Sequence, residues 1–221
     1  MRGVLLTGII CLSTPAAGCD VALMLAVDVS GSVDGAEYRI QMDGLAQALV
    51  DPTVTAALVA GNARLALMQW TGSGRQSVVI HWVEIANDND VVGFATQVQQ
   101  QPRLWRNFST AIGEAMALSV AYFALVPECK RFVLDISGDG ENNEGRVPRD
   151  VWDDLATADV TVNALVIEES VPGLTAYFES DVITGVDAFA VTANTFKEYP
   201  EQITRKLYRE LTKAVAHLEG Q

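Results

Sequence analysis

The sequence predicts an α/β fold: a doubly wound, mostly parallel sheet of six strands, with one antiparallel edge strand and helices on both faces. The first observation behind this prediction is that apolar runs of strand length alternate along the chain with segments of helical spacing. The second is that residues 23–27 are continuously apolar, which is typical of a parallel strand covered on both faces. The third is that only residues 71–75 separate the second run from the third, so these two strands should form an antiparallel hairpin.

The elements can be assigned in chain order. The predicted strands are 23–28, 65–70, 76–83, 131–136, 160–167 and 187–191. The first helix runs from a cap at Asp34 to the break at Asp51 and Pro52. The other predicted helices are 53–60, 87–101, 110–126, 148–158, 173–182 and 198–218. The last of them repeats apolar residues every four positions, which indicates a stripe packed on the core. These residues are Ile203, Leu207, Leu211 and Val215.

Residues 1–18 are typical of a secretory signal peptide, with one arginine, an apolar segment at 4–12 and small residues after it. The apolar segment is shorter than the ~20 residues that a membrane-spanning helix needs. We therefore predict a signal peptide at 1–18 and a single domain at 19–221, exported to the periplasm or secreted as a monomer without a transmembrane segment. The alternative is a lipoprotein processing site at 16–19, which would anchor the chain through a lipid on Cys19.

The net charge of the chain is −13. Nucleic acids and anionic membrane surfaces are bound by basic patches, so this charge argues against both classes of partner.

Oxygen-bearing side chains follow two of the predicted strands. Asp28, Ser30 and Ser32 come directly after the first strand, and Asp139 follows the fourth. Between these strands, Thr110 opens a predicted helix. Because ligands of parallel sheets bind beyond the carboxyl ends of the strands, we expect these side chains to meet there. Carboxylate and hydroxyl oxygens suit hard cations, so the pattern predicts a site for a divalent ion.

This pattern resembles the von Willebrand factor type A (vWA) domain and its metal-ion-dependent adhesion site (MIDAS), over nearly the whole chain after the signal peptide. A bacterial secreted branch of that superfamily is also similar. The resemblance implies that the metal ligands are Asp28, Ser30, Ser32, Thr110 and Asp139. It further implies Mg²⁺ as the ion, with Mn²⁺ or Ca²⁺ as alternatives, and a protein partner whose Asp or Glu completes the coordination. One departure is Gly138, where the family usually has threonine.

The resemblance also implies a disulfide between Cys19 and Cys129, the two cysteines that remain after residue 18. They precede the first and fourth strands, which are parallel neighbours in the family's fold and close enough for a bridge. An even number of cysteines in an exported chain favours this pairing. The alternatives are two separate buried thiols, or a lipidated Cys19.

Four further residues are predicted to line the partner-binding rim. Trp105 and Arg106 precede Thr110 and belong to residue types enriched at binding hot spots, although Trp105 could instead anchor the core. Glu141 and Asn142 lie in the polar loop after Asp139, which we expect to be mobile.

Asp135 stands inside an apolar strand, where an acid is costly unless it is paired or protonated. We consider two interpretations. In the first, its carboxylate orients Ser30 or metal-bound water. In the second, it forms a structural ion pair with an arginine such as Arg131 or Arg39.

A binding protein is predicted rather than an enzyme. The two histidines, His81 and His217, lie outside the metal loops, and no Gly-x-Ser-x-Gly motif occurs, so a histidine-based zinc site or a hydrolase triad is disfavoured. Two alternatives stay open. One is a magnesium-dependent hydrolase that uses metal-bound water as nucleophile. The other is a structural domain with a vestigial site.

Overall fold

The computed structural model describes residues 18–218, with side chains up to residue 212. Its sheet has six strands in the order β3-β2-β1-β4-β5-β6. The strands are β1 (Ala22–Asp28), β2 (Arg64–Trp70), β3 (Gln76–Glu84), β4 (Phe132–Gly138), β5 (Val160–Ile167) and β6 (Ala190–Ala193). All neighbours pair in parallel except β2 and β3, which are antiparallel. The predicted fold class is therefore confirmed.

Seven α-helices connect and cover the strands in residues 18–218. They are α1 (Gly35–Leu49), α2 (Pro52–Ala60), α3 (Asp88–Gln100), α4 (Ile112–Phe123), α5 (Trp152–Thr157), α6 (Leu174–Tyr177) and α7 (Tyr199–Leu218). Two predicted helices are composite, since a 3₁₀ turn at Pro148–Val151 leads into α5 and a π turn at Phe178–Val182 follows α6. The helix predicted from residue 110 begins only at Ile112.

The last strand lies at Ala190–Ala193 rather than at 187–191. Before it, the chain turns through left-handed backbone conformations at Gly185 (φ 100°) and Asp187 (φ 55°). Such a turn cannot continue a strand, so regular pairing with β5 starts only after it.

The start of α1 is fixed by a reciprocal cap. The Asp34 carboxylate accepts hydrogen bonds from the backbone of Ala36 and Glu37, and the Glu37 carboxylate accepts one from the backbone of Asp34. This arrangement satisfies donors that a helix leaves unpaired at its first turn. It therefore fixes the chain directly after the loop that contains Ser30 and Ser32.

Apolar side chains cover both faces of the sheet. Successive residues of β1 alternate between two core clusters, with Leu23 and Leu25 on the face of α1 and α7, and Met24 and Ala26 on the face of α4. This explains why β1 is apolar without interruption. In α7, Ile203, Leu207 and Leu211 are buried as predicted. Val215 lies beyond the described side chains.

A disulfide joins Cys19 to Cys129, with an S–S distance of 2.02 Å and a Cα–Cα distance of 4.4 Å. The backbone of Lys130 also donates to the Cys19 carbonyl, so the two chain segments run side by side before β1 and β4 begin. The predicted bridge is confirmed. The bridge occupies the Cys19 sulfur. A lipid on Cys19, the alternative, would need the same sulfur to be free.

No helix within residues 18–218 is long and apolar enough to cross a membrane. The predicted signal peptide lies outside the described residues apart from Gly18, so the domain division at 1–18 and 19–221 stays a prediction.

Candidate metal centre

The loops after β1 and β4 are joined by a chain of hydrogen bonds. The backbone of Ser30 donates to Asp28 Oδ1 over 2.7 Å, and the hydroxyls of Ser30 and Ser32 lie 3.1 Å apart. The Ser32 hydroxyl then donates to Asp139 Oδ1 over 2.6 Å. Parallel pairing of β1 with β4 brings these loops to the same edge of the sheet.

Thr110 joins the same cluster from the loop before α4. A Cβ atom built on Gly140 would lie 3.7 Å from Thr110 Oγ1, so this hydroxyl faces the start of the loop after Asp139. The backbone N–H of Thr110 donates to Asn143 Oδ1, and the backbone N–H of Asn143 donates to the Thr110 carbonyl, both over 2.9 Å. All five predicted metal-site residues therefore lie together.

The electrostatics of the site favour a cation. Asp28 is fully buried, and burial together with the nearby charge of Asp139 raises its pKa to about 7. Burial also raises the pKa of Asp139. Within residues 18–218, Asp28 Oδ2 has no hydrogen-bond partner. Burying an unpartnered carboxylate oxygen costs free energy, and so does placing it beside a second carboxylate. A cation between the two groups would relieve both the desolvation and the repulsion.

The donor set also fits a hard ion. No group of three or more His, Cys, Asp or Glu side chains in the described part of the chain is arranged to hold a metal. The candidate site instead combines two carboxylates with three hydroxyls, and oxygen donors of this kind are preferred by Mg²⁺, Mn²⁺ and Ca²⁺.

The glycine at position 138 has a steric explanation. A Cβ atom at Gly138 would lie 3.2 Å from Asp28 Oδ2 and 3.4 Å from Trp70 Cζ2. The indole of Trp70, buried at the end of β2, therefore occupies the space that a larger residue would need. The departure from the family pattern leaves Asp139 within hydrogen-bond distance of Ser32.

Arg103 supports the first loop, although no motif in the sequence pointed to it. Its guanidinium donates to the carbonyls of Val29 and Ser30 over 3.0 and 2.7 Å. The backbone of Gly31 donates to the Phe108 carbonyl over 2.8 Å, so the segment before Thr110 is attached to the Asp28 loop at two places.

A cavity of about 560 Å³ opens above the cluster. It is lined by Gly31, Ser32, Phe108, Ser109, Thr110, Asp139, Gly140, Glu141, Asn142, Asn143, Ser170 and Val171.

Glu141 and Asn142 belong to the predicted rim, whereas Trp105 and Arg106 do not line the cavity. Trp105 packs on the core instead. Phe108, three residues further along the chain, is exposed, and the Arg75 guanidinium lies 3.8 Å from the centroid of the Phe108 ring. Ser170 and Val171 come from the loop after β5, which sequence patterns did not connect with the site.

Hydrogen bonds attach the loop at 140–145 to neighbouring segments, and its mobility stays a prediction. Asn142 Oδ1 accepts a hydrogen bond from the backbone of Gly113, and the Asn142 backbone donates to the Tyr177 hydroxyl, each over 3.3 Å. Together with the reciprocal bonds between Asn143 and Thr110, these contacts connect the loop to the start of α4.

Asp135 forms a structural ion pair, as in the second interpretation, but its partner is a lysine. Its carboxylate lies 2.5 Å from the Lys206 ammonium on α7, and neither Ser30 nor any arginine of the described residues is its partner. Asp135 pairs in register with Leu25, three residues before Asp28, so its side chain is too far along the sheet to orient Ser30. Arg131 instead donates to the Glu210 carbonyl, and Arg39 pairs with Asp43.

The fold is that of solved vWA-type structures. Proximal thread matrix protein 1 (PTMP1) from the mussel byssus superimposes with a TM-score of 0.65 and 19% identity, over 86% of this chain and 47% of that chain. A von Willebrand factor type A structure from Catenulispora acidiphila superimposes with a TM-score of 0.59 and 18% identity, over 87% of this chain and 43% of that chain. A PTMP1 structure described as having a zinc-occupied MIDAS motif superimposes with a TM-score of 0.60 and 19% identity, over 89% of this chain and 49% of that chain.

The chain thus spans about half the length of these structures, and at these identities the likeness shows the fold. No curated protein matches the sequence. A family model described as "Protein of unknown function (DUF1194)" matches residues 18–215, almost the whole described chain. The chain has the vWA fold and belongs to the DUF1194 family.

Proposed function

We propose that this protein is an exported binding protein that holds a divalent cation and uses it to capture an aspartate or glutamate side chain of a protein partner. The observation that carries the proposal is Asp28 Oδ2. This oxygen is buried beside Asp139 and has no hydrogen-bond partner in the described chain. The hydroxyls of Ser30 and Ser32 belong to the same hydrogen-bonded cluster.

The proposed ligands divide into two kinds. Asp28 and Asp139 carry negative charge, whereas Ser30, Ser32 and Thr110 offer neutral oxygens. If one or both aspartates held the ion through water, a divalent ion bound there would keep a net positive character and offer an open coordination position to an outside carboxylate. The residues of the chain position these oxygens beforehand, through the bonds from Ser32 to Asp139 and from Thr110 to Asn143.

The charge of the protein makes such an ion necessary for capture. The chain carries a net charge of −13, and Asp139 and Glu141 line the cavity above the cluster. Without a cation, a partner carboxylate entering this cavity would be repelled by like charges. We therefore expect partner binding to depend strictly on the metal.

Mg²⁺ is the first candidate ion because all the donors are oxygens, with Mn²⁺ and Ca²⁺ as alternatives. Zinc ordinarily favours nitrogen and sulfur ligands. However, the PTMP1 structure described with a zinc-occupied MIDAS motif supports including Zn²⁺ in any comparison of ions.

Export to the periplasm or the extracellular space is supported by the disulfide between Cys19 and Cys129, since such bridges persist in oxidising compartments. We propose that the exported domain acts as a monomer.

Affinity capture from the exported protein fraction tests the function. The immobilised protein should retain a partner in the presence of Mg²⁺, release it with a chelator, and retain it again when the ion is restored. Asp28→Ala should retain nothing, whereas Asp43→Ala, which removes an exposed carboxylate on α1, should behave as the wild type. Equal retention with and without chelator would contradict the proposal.

Hydrolysis of a panel of phosphoesters by the wild type, lost in Asp28→Ala, would instead favour the magnesium-dependent hydrolase.

A further inference from the structure

Three charged side chains are buried together between β4 and α7, away from the candidate metal centre. Lys206 is 0% exposed, and Asp135 and Glu210 are each 3% exposed. The Lys206 nitrogen lies 2.5 Å from Asp135 Oδ1 and 2.9 Å from Glu210 Oε1. One buried amine is therefore within hydrogen-bond distance of two buried carboxylates.

Aromatic side chains border this cluster. The ring of Phe189 lies 5.6 Å from the Lys206 nitrogen, and Arg209 stacks on the same ring at 3.8 Å. Tyr199 is buried beside Asp135. Burying charged groups in such surroundings carries a large desolvation cost that an ion pair only partly repays.

Glu210 is held in place from several sides. The Asn163 side chain donates to its Oε1 over 2.9 Å, and the Arg131 guanidinium donates to its backbone carbonyl over 3.4 Å. In the part of the chain that the structure describes, Asp135 Oδ2 and Glu210 Oε2 have no hydrogen-bond partner. The ionic arrangement thus leaves two buried carboxylate oxygens unsatisfied, and each is costly.

The same geometry suits an amide condensation. A buried amine held against a carboxyl group, with a second carboxyl group bonded to the same amine, provides a nucleophile, an electrophile and a proton carrier close together. Holding reacting groups at contact distance in the right orientation supplies much of what such a reaction needs. Burial and the neighbouring charge of Glu210 raise the pKa of Asp135 to about 8, which favours the protonated carboxyl group that can be attacked.

We propose that Lys206 and Asp135 form an intramolecular isopeptide bond, with Glu210 as the proton-transfer group. Proton transfer from the Lys206 ammonium to the Asp135 carboxylate gives an amine and a carboxylic acid. The amine nitrogen attacks Asp135 Cγ and forms the C–N bond. Glu210 takes a proton from this nitrogen and delivers it to the departing hydroxyl, so that the C–O bond breaks and one water molecule leaves. Glu210 ends as the carboxylate it was at the start, and nothing is oxidised or reduced.

The product replaces two of the three buried charges with a neutral amide and leaves Glu210 as the remaining charged group. Both charges of the Lys206–Asp135 pair disappear, and the new amide N–H can donate to Glu210. The bond also ties α7 covalently to the central strand β4. This inference concerns a separate part of the molecule and does not depend on the proposed metal binding.

Mass spectrometry of the purified wild-type protein tests the proposal. After reduction and denaturation, the intact mass should be lower than the mass of the same linear chain by one water molecule. Trypsin should leave a branched peptide in which residues 132–146 are joined to residues 206–209, because the acylated Lys206 is no longer a cleavage site. A full-length mass, or a water loss that fragment spectra place at an Asp–Gly step such as 139–140, would overturn the proposal.

Variants separate the roles of the three residues. Lys206→Arg and Asp135→Ala should show the unbridged mass, and the exposed Lys197→Arg should still lose water. Asp135→Asn should give the same amide with loss of ammonia from the side chain. Glu210→Gln keeps the shape of the side chain but should stay unbridged, and circular dichroism should confirm that it is folded. A folded Glu210→Gln protein that is fully bridged would overturn the role of Glu210, while the wild-type peptide decides the bond whether or not this variant folds.

Discussion

The Ser32 hydroxyl donates a 2.6 Å hydrogen bond to the Asp139 carboxylate, although 107 positions separate these residues in the sequence. Ser32 follows β1 and Asp139 follows β4, and the parallel pairing of these strands places both at one edge of the sheet. The bond keeps Asp139 against the loop that carries Asp28 and Ser30. The candidate metal centre is therefore largely arranged by the fold itself, before any ion binds.

Asn143 should act as a positioning residue for Thr110. Asn143→Ala removes the acceptor for the Thr110 backbone N–H, so we expect metal affinity to fall by ~10-fold, as for other residues that orient metal ligands. Isothermal titration with Mg²⁺ measures the change. In a Thr110→Ala background the Asn143 substitution should have almost no further effect, because it acts through Thr110. Additive losses in the double variant would show that Asn143 acts by another route.

The stability of the metal-free protein should fall as the pH rises. Asp28 has a folded-state pKa of about 7, above its ordinary value of 3.8, so the folded protein holds this proton more tightly than the unfolded chain. The resulting stabilisation is complete below the ordinary value and is lost as the pH rises through about 7. Thermal melts with a chelator should therefore show a weaker pH dependence in Asp28→Asn than in the wild type, and equal slopes would contradict this assignment.

Added Mg²⁺ should have the opposite pH dependence. The ion must displace the proton on Asp28, so the increase in melting temperature that it causes should grow between about pH 6 and pH 8. Melting curves at fixed Mg²⁺ over this range measure the effect. An increase that is constant or largest at low pH would argue against a site built on Asp28.

Gly138 and Trp70 should be coupled through their shared space. Gly138→Thr places atoms against the Trp70 ring and Asp28 Oδ2, so it should reduce the free energy of unfolding by about 1–3 kcal/mol and weaken metal binding. Trp70→Phe removes part of the indole and should restore part of the loss in the double variant, as measured by chemical denaturation. If Trp70→Phe brings no recovery, the steric explanation for Gly138 is wrong.

Loss of the disulfide should lower stability but leave the metal centre intact. Cys19 and Cys129 lie before β1 and β4, whereas four of the candidate ligands lie at the opposite ends of these strands and Thr110 lies in the loop before α4. Replacing both cysteines with serine should cost about 2–4 kcal/mol in unfolding free energy, because the unfolded chain is no longer constrained. The Mg²⁺ affinity of the folded variant should match that of the wild type within about twofold.

How far the sequence predicted the molecule depended on how local each signal was. The apolar run ending at Asp28 and the run ending near Asp139 revealed both strands, and the rule that parallel strand ends meet predicted their loops together. No local sequence pattern pointed to three residues at the site, because their contacts arise only when separate loops pack together. These residues are Arg103, Asn143 and Val171.

Lys206 illustrates the same limit within the core. Lys206 is buried on the core-facing side of α7 because it pairs with Asp135 of β4, and this pairing is visible only in the structure. The sequence showed that Asp135 needed a partner but not which one. A lysine on a helix is usually solvated, so an arginine near Asp135 in the sequence was the more natural expectation.

Calorimetric titration of Mg²⁺ into the wild-type protein and into Asp28→Ala tests the central claim most directly. We expect a single saturable site in the wild type and in the control Asp43→Ala, and no measurable binding heat in Asp28→Ala when circular dichroism shows it to be folded. A folded Asp28→Ala protein that binds Mg²⁺ with the affinity of the wild type would contradict the account.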